Sequence, residues 1–170
     1  MADRLDEFEL RLAALESRLP QRGTTPAVAQ DEAPDTFWAL DRVRAVAGDD
    51  GAVLVAGTVP LPTGGRAEWQ EGIGARDLVE GDWEPAAEVL AALGHPVRLR
   101  LLQAVLSGTT TAAELTALPG VGTTGQTYHH LRRLVAAGWL RPVTGPARGA
   151  HEVPLPRVVP LLAVLAMCRR

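Results

Sequence analysis

The 170 residues suit one domain of ordinary size or a small domain with an appended module, and a hydrophobic share of 46% is enough for a core. No run approaches the roughly 18 apolar residues of a membrane span, and a lone cysteine, Cys168, excludes an internal disulfide and a cysteine-rich zinc site. The net charge of −3 hides an asymmetry: residues 1–85 carry 8 arginines against 17 acidic residues, whereas residues 86–170 carry 9 arginines against Glu88, Glu114 and Glu152, together with all four histidines. A basic C-terminal half that meets a polyanion, and an acidic half with other work, is the expectation from that division. The first residues, "MADRLDEFEL", are acidic and lack the basic-then-apolar build of a signal peptide, so a cytoplasmic location is expected.

In chain order, Leu5, Phe8, Leu12, Leu15 and Leu19 recur at spacings of 3, 4, 3 and 4 and end at Pro20. That is a heptad seam over residues 1–19, either a coiled coil between two chains or an amphipathic helix packed on its own chain. Residues 20–34, rich in Pro, Gly, Thr and Gln, form a linker. Asp35 then caps a helix with Phe37, Leu40 and Val43 as its apolar positions. Two β-rich runs, Val53–Val59 and Arg66–Ile73, flank Thr63-Gly64-Gly65 and read as a hairpin. This helix-plus-hairpin module, residues 35–82, is too small for a good core and is expected to dock on the C-terminal half or on a second subunit. Trp38, Trp69 and Trp83 gather in or beside it. They are either its small core or the lining of a pocket for a small organic effector.

From residue 83 the local signals become dense. Pro85 suits the first turn of a helix that ends near Gly94, and Pro96 opens the next, which stops at Gly108. Thr111-Ala-Ala-Glu114 is a capping box that starts a short helix through Leu118, and Thr123-Thr-Gly-Gln126 offers a second cap after a glycine turn. The helix that follows holds "GQTYHHLRRL" and ends at Gly138. Trp139–Val143 and Ala150–Leu155 make a second hairpin around "TGPARG", and Pro156 opens a closing helix that is apolar nearly all round.

Helix, helix, short helix, turn, helix and hairpin is the order of a winged helix-turn-helix. The fold class expected is therefore mostly α with small β (α+β), with residues 83–170 as the DNA-binding and dimerisation domain. Through "LAALGHPVRLRLLQAVL", "TAAEL", "TTGQTYHHLRRLVAAGWL" and "RPVTGPARGAHEVPL" the chain resembles ArsR-type winged-helix transcriptional regulators. The resemblance covers somewhat under half of the chain. It implies a dimeric, sequence-specific regulator that binds double-stranded DNA.

At 100° per residue, Gln126, His129, His130 and Arg133 share one face of the helix after the turn, with Thr127, Tyr128, Leu131, Leu134 and Val135 opposite. Arg can pair with guanine and Gln with adenine in the major groove. Thr123 and Thr124 at the helix start, Arg132 beside the main face and Arg148 on the wing are candidate phosphate contacts. Val158, Val159, Leu161, Leu162 and Leu165 of the closing helix, with Leu5, Phe8, Leu12 and Leu15, are the candidate homodimer contacts.

Adjacent histidines point 100° apart, which disfavours a shared metal at His129 and His130. The resemblance implies metal ligands in metal-sensing members either as cysteine pairs before the recognition helix or on the last helix. "TTTAAELTAL" and "RVVPLLAVLAMCRR" carry neither. His95 reads as a helix cap or packing residue. No nucleophile–base–orienter set, P-loop or dinucleotide fingerprint appears, so neither an enzyme nor a resident cofactor is expected. The alternative to DNA binding is a protein-interaction module whose acidic half recruits a partner.

Overall fold

Prolines, glycines and threonines set most of the element boundaries in the computed structural model, which describes residues 37–62, 64–144 and 149–169. The heptad segment with Leu5, Phe8, Leu12 and Leu15, the linker, Asp35, Thr63 and Arg148 lie outside the described residues. Within them the fold is α+β, with seven α-helices and two small antiparallel sheets of two strands each. In order they are α1 (Trp38–Ala47), a 3-10 turn (Gly48–Asp50), β1 (Ala52–Pro60), β2 (Arg66–Gly74), α2 (Ala75–Glu80), α3 (Glu84–Leu93) and α4 (Pro96–Leu106). Then follow α5 (Ala112–Thr116), α6 (Thr124–Ala136), β3 (Arg141–Pro142), β4 (His151–Glu152) and α7 (Leu155–Met167). No single helix among the described residues is long and apolar enough to cross a membrane.

The core lies among α4, α5, α6 and α7. Leu101 and Leu102 of α4, Leu115 of α5, Leu131 and Leu134 of α6 and Val158 and Leu161 of α7 are almost wholly buried there. The i, i+3, i+4 spacing of these residues gives each helix one apolar stripe, and burial of each leucine contributes roughly 1.5–3 kcal/mol. Trp139, also buried, ties three parts together: its Nε1 donates to the Val89 carbonyl of α3 at 2.9 Å, and the Arg157 guanidinium of α7 lies 5.2 Å from its ring centroid.

α3 and α4 meet at an elbow of 76°. His95 makes the bend: it caps α4 by accepting the Val97 N–H on Nδ1 at 3.2 Å, and Pro96 occupies the first turn, where no N–H is needed. Arg98 fastens the elbow by donating to the carbonyls of Ala91 and Ala92 in the last turn of α3, where the helix has no further N–H of its own to offer Ala92.

The first hairpin, β1–β2, packs on α7 rather than standing apart. In its register Gly57 lies opposite Trp69 and Val59 opposite Ala67. A Cβ on Gly57 would fall 2.8 Å from Cγ1 of Val159, so the missing side chain opens the hollow that admits this valine. Val158, Val159 and Leu161 are consequently buried within the chain itself. The expectation that they face a second subunit is corrected to an inward role, and Leu162 and Leu165 remain partly exposed. α1 buries no residue, and Phe37 and Leu40, expected on an apolar face, are exposed.

Candidate nucleic-acid interface

Two capping boxes frame the short helix and the helix after it. At α5 the Thr111 hydroxyl accepts the Glu114 N–H and donates to Glu114 Oε2 at 2.6 Å, while the Thr111 N–H donates to the same oxygen at 3.1 Å. The Thr111 hydroxyl, and next its backbone N–H, hold the Glu114 carboxyl below the usual carboxylate range. At α6 the Thr123 hydroxyl accepts the Gln126 N–H, and Gln126 Oε1 accepts the Thr123 N–H at 2.8 Å. Both side chains therefore serve the cap. Gln126 has its carbonyl oxygen turned onto the backbone, which removes half of the pair an adenine contact needs.

The turn between them depends on glycine. Gly120 and Gly122 have φ of +74° and +90°, a region that L side chains avoid. Gly120 also yields space to Arg100, whose Nη1 donates to the Pro119 carbonyl at 2.8 Å. Arg100 is thus a fastener between α4 and the turn.

α6 is rotated relative to the sequence-based expectation. Leu131 and Leu134 face inward as expected, but Tyr128, assigned to the packed face, is 45% exposed. His130, assigned to the outer face, turns toward the elbow instead. Its ring centroid lies 4.5 Å from that of His95 and 5.9 Å from that of His129, and its Nδ1 is buried without a partner. Burial first, and then the charges of His95, Arg98 and His129, keep the His130 pKa below the ordinary histidine range. His130 is therefore partly buried against the elbow and does not lie on the outer face where the sequence places it.

The exposed face holds Thr124, Gly125, Gln126, Tyr128, His129, Arg132, Arg133 and Ala136. On a wheel of 100° per residue its centre lies about 80° from the expected one. Thr127, polar in sequence, goes fully inward because its hydroxyl donates to the carbonyls of Thr123 and Val121. Among the described residues Arg132 and Arg133 have no ion-pair or hydrogen-bond partner for their guanidinium groups. Four other arginines of the C-terminal half are engaged: Arg141 with Glu152 at 2.6 Å, Arg157 on Trp139, and Arg98 and Arg100 on carbonyls. α6 thus presents two guanidinium groups without a partner among the described residues, an imidazole and a phenol on one exposed face.

β3 pairs with β4 through Arg141–Glu152 and Pro142–His151, and Thr111 adds a bridge to Ala150. The second hairpin is thereby stitched to the start of α5. Both strands are shorter than the runs expected from sequence, since Trp139, Leu140 and Val153 go to the core.

Trp38 and Trp83 are about 70% exposed, with Trp83 Nε1 donating to the Leu78 carbonyl, and Trp69 is half-buried. Neither Trp69 nor Trp83 lines the clefts at Arg66–Arg141, Arg42–Gln70 or Leu99–Leu165. No group of three or more His, Cys, Asp or Glu side chains is placed to hold a metal ion among the described residues, and Cys168 is exposed. Compared with family models, curated proteins and solved structures, the chain finds no significant match.

Proposed function

We propose that the chain is a sequence-specific DNA-binding transcriptional regulator of the winged helix-turn-helix, ArsR-like type, acting as a homodimer in the cytoplasm. The observation that carries the reading is the outer face of α6, where Arg132 and Arg133, which have no partner among the described residues, stand beside Tyr128 and His129. Arginine fits both phosphate and the guanine edge, and histidine and tyrosine add hydrogen-bonding groups at the same depth. The capped short helix and glycine turn before α6, with the stitched hairpin after it, support the same architecture. In this reading α6 enters the major groove, and the second hairpin reaches the backbone.

A dimer would place two α6 helices on half-sites about one DNA turn apart. With Val158, Val159 and Leu161 turned inward, the closing helix offers Leu155, Leu162, Leu165 and Met167 to a second copy. Selection of bound duplexes from a random library tests the proposal. Enrichment of a two-fold motif whose retention needs Arg132 and Arg133 is expected. A chain that retains no duplex at moderate salt would overturn the reading in favour of a protein-interaction module.

A further inference from the structure

A half-open cleft of about 520 Å³ lies between the turn of the first hairpin and the root of the second, a size typical of small-molecule sites. Its floor is apolar, built by Val105 and Leu106 of α4 with Val153 and Val158 beyond β4. Its ionisable lining is Arg66 at the start of β2, and Arg141, His151 and Glu152 of the second hairpin. Arg141 spends two donors on Glu152 Oε1, and Arg66 spends its Nε–H on the Thr58 hydroxyl at 3.1 Å. A guanidinium has five N–H donors, so both keep free ones. The lining itself holds one net positive charge, because Glu152 offsets one arginine and burial keeps the His151 ring below the ordinary histidine pKa range. Glu68, outside the lining, pairs with the Arg66 Nε at 3.9 Å and leaves the terminal nitrogens of Arg66 free. His151 lines the cleft with its Nδ1 buried without a partner among the described residues.

An apolar floor under a singly cationic rim selects a particular chemistry. A neutral apolar molecule would leave the guanidinium donors unused, and a dianion would meet Glu152. We propose that this cleft binds a small organic monoanion, a carboxylate on an apolar body, with the carboxylate at Arg66 and Arg141 and the body on the valine and leucine floor. Arg66 belongs to the first hairpin and Arg141 to the second, so an occupant links them. Regulation of DNA contact through that link rests on the DNA-binding reading above, whereas binding itself does not.

The test is titration of the full-length, nitrogen-15-labelled chain with sodium octanoate, followed by amide shifts and without DNA. Saturable shifts at Leu61, Val143, Ala150 and Val153 are expected, with 1-octanol binding about tenfold more weakly for want of charge-assisted hydrogen bonds. Arg66→Gln and Arg141→Gln should each weaken octanoate about tenfold. Both residues are exposed, so the fold is expected to survive, and a retained amide spectrum checks this. Absence of saturable shifts up to millimolar octanoate, equal binding of octanol, or affinity unchanged in both variants overturns the proposal. Because no DNA is present, failure of the DNA-binding reading would show in the duplex selection and leave this result intact.

Discussion

Gly57→Ala is a one-carbon change with a defined consequence. The new Cβ would fall 2.8 Å from Val159 Cγ1 and 3.5 Å from Cγ2. Ordinary carbon contacts begin near 3.5 Å, so the overlap is about 0.7 Å. Val159 is 4% exposed and β-branched on a helix, which leaves it little freedom to rotate away. Overpacking of this kind costs about 1–3 kcal/mol, and alanine returns about 0.4–1 kcal/mol by restricting the unfolded chain. The net expectation is about 1–2 kcal/mol of destabilisation, or a loss of roughly 2–8 °C in Tm for a chain of this size. Val159→Ala alone removes two methyl groups, at about 0.8 kcal/mol each. In the double variant the two alanines fit, so urea unfolding should show a favourable coupling of about 1–2 kcal/mol. A coupling below about 0.3 kcal/mol, the ordinary error of additivity, would refute the docking of the first hairpin on α7.

Thr111→Ala and Thr123→Ala each dissolve a capping box, and each should lower stability by about 1 kcal/mol in urea titrations. Loss of Thr123 also frees Gln126 from the cap, so a changed preference at one base of the selected motif is expected from that variant alone. Arg132→Ala and Arg133→Ala should each weaken duplex binding by about 1–3 kcal/mol if they read a base, in gel-shift titration, while His130→Gln leaves base preference unchanged. His130 binds a proton less readily when folded than when unfolded, so its contribution to stability is complete above about pH 6.5. That contribution shrinks as pH falls toward the lower folded value, and His151, lowered by burial, acts with the same sign. Urea midpoints should therefore decline between about pH 7 and pH 5.5, and His130→Gln should flatten the decline.

Most element boundaries were legible because their causes are local. The caps at Thr111 and Thr123, and the prolines at 85 and 96, act within a turn of the chain, and all sit where sequence places them. The outer face of α6 was less legible, because it depends on distant partners. His130 is drawn inward by His95 across the elbow, and Thr127 is buried because two carbonyls receive its hydroxyl. Helical periodicity places Thr127 inward, as found, but it places His130 outward and Tyr128 inward, and these two are exchanged. The apolar closing helix poses the same problem. Val158, Val159 and Leu161 look like a face awaiting a second chain, yet their cover comes from within the chain, the first hairpin resting on Val159 about a hundred residues after Gly57. Arg98 and Arg100 carry full charges in the sequence, and only their carbonyl partners disclose that they hold helices together.

The internal engagement of those arginines fixes how many cations remain to displace ions from a nucleic acid. With Arg98, Arg100, Arg141 and Arg157 occupied, α6 contributes only Arg132 and Arg133 to counterion release. In the proposed dimer four such contacts give a logarithmic salt slope of about −4. Affinity would then fall about a hundredfold between low and physiological salt, and a steeper slope would count the additional phosphates neutralised by the hairpin tips.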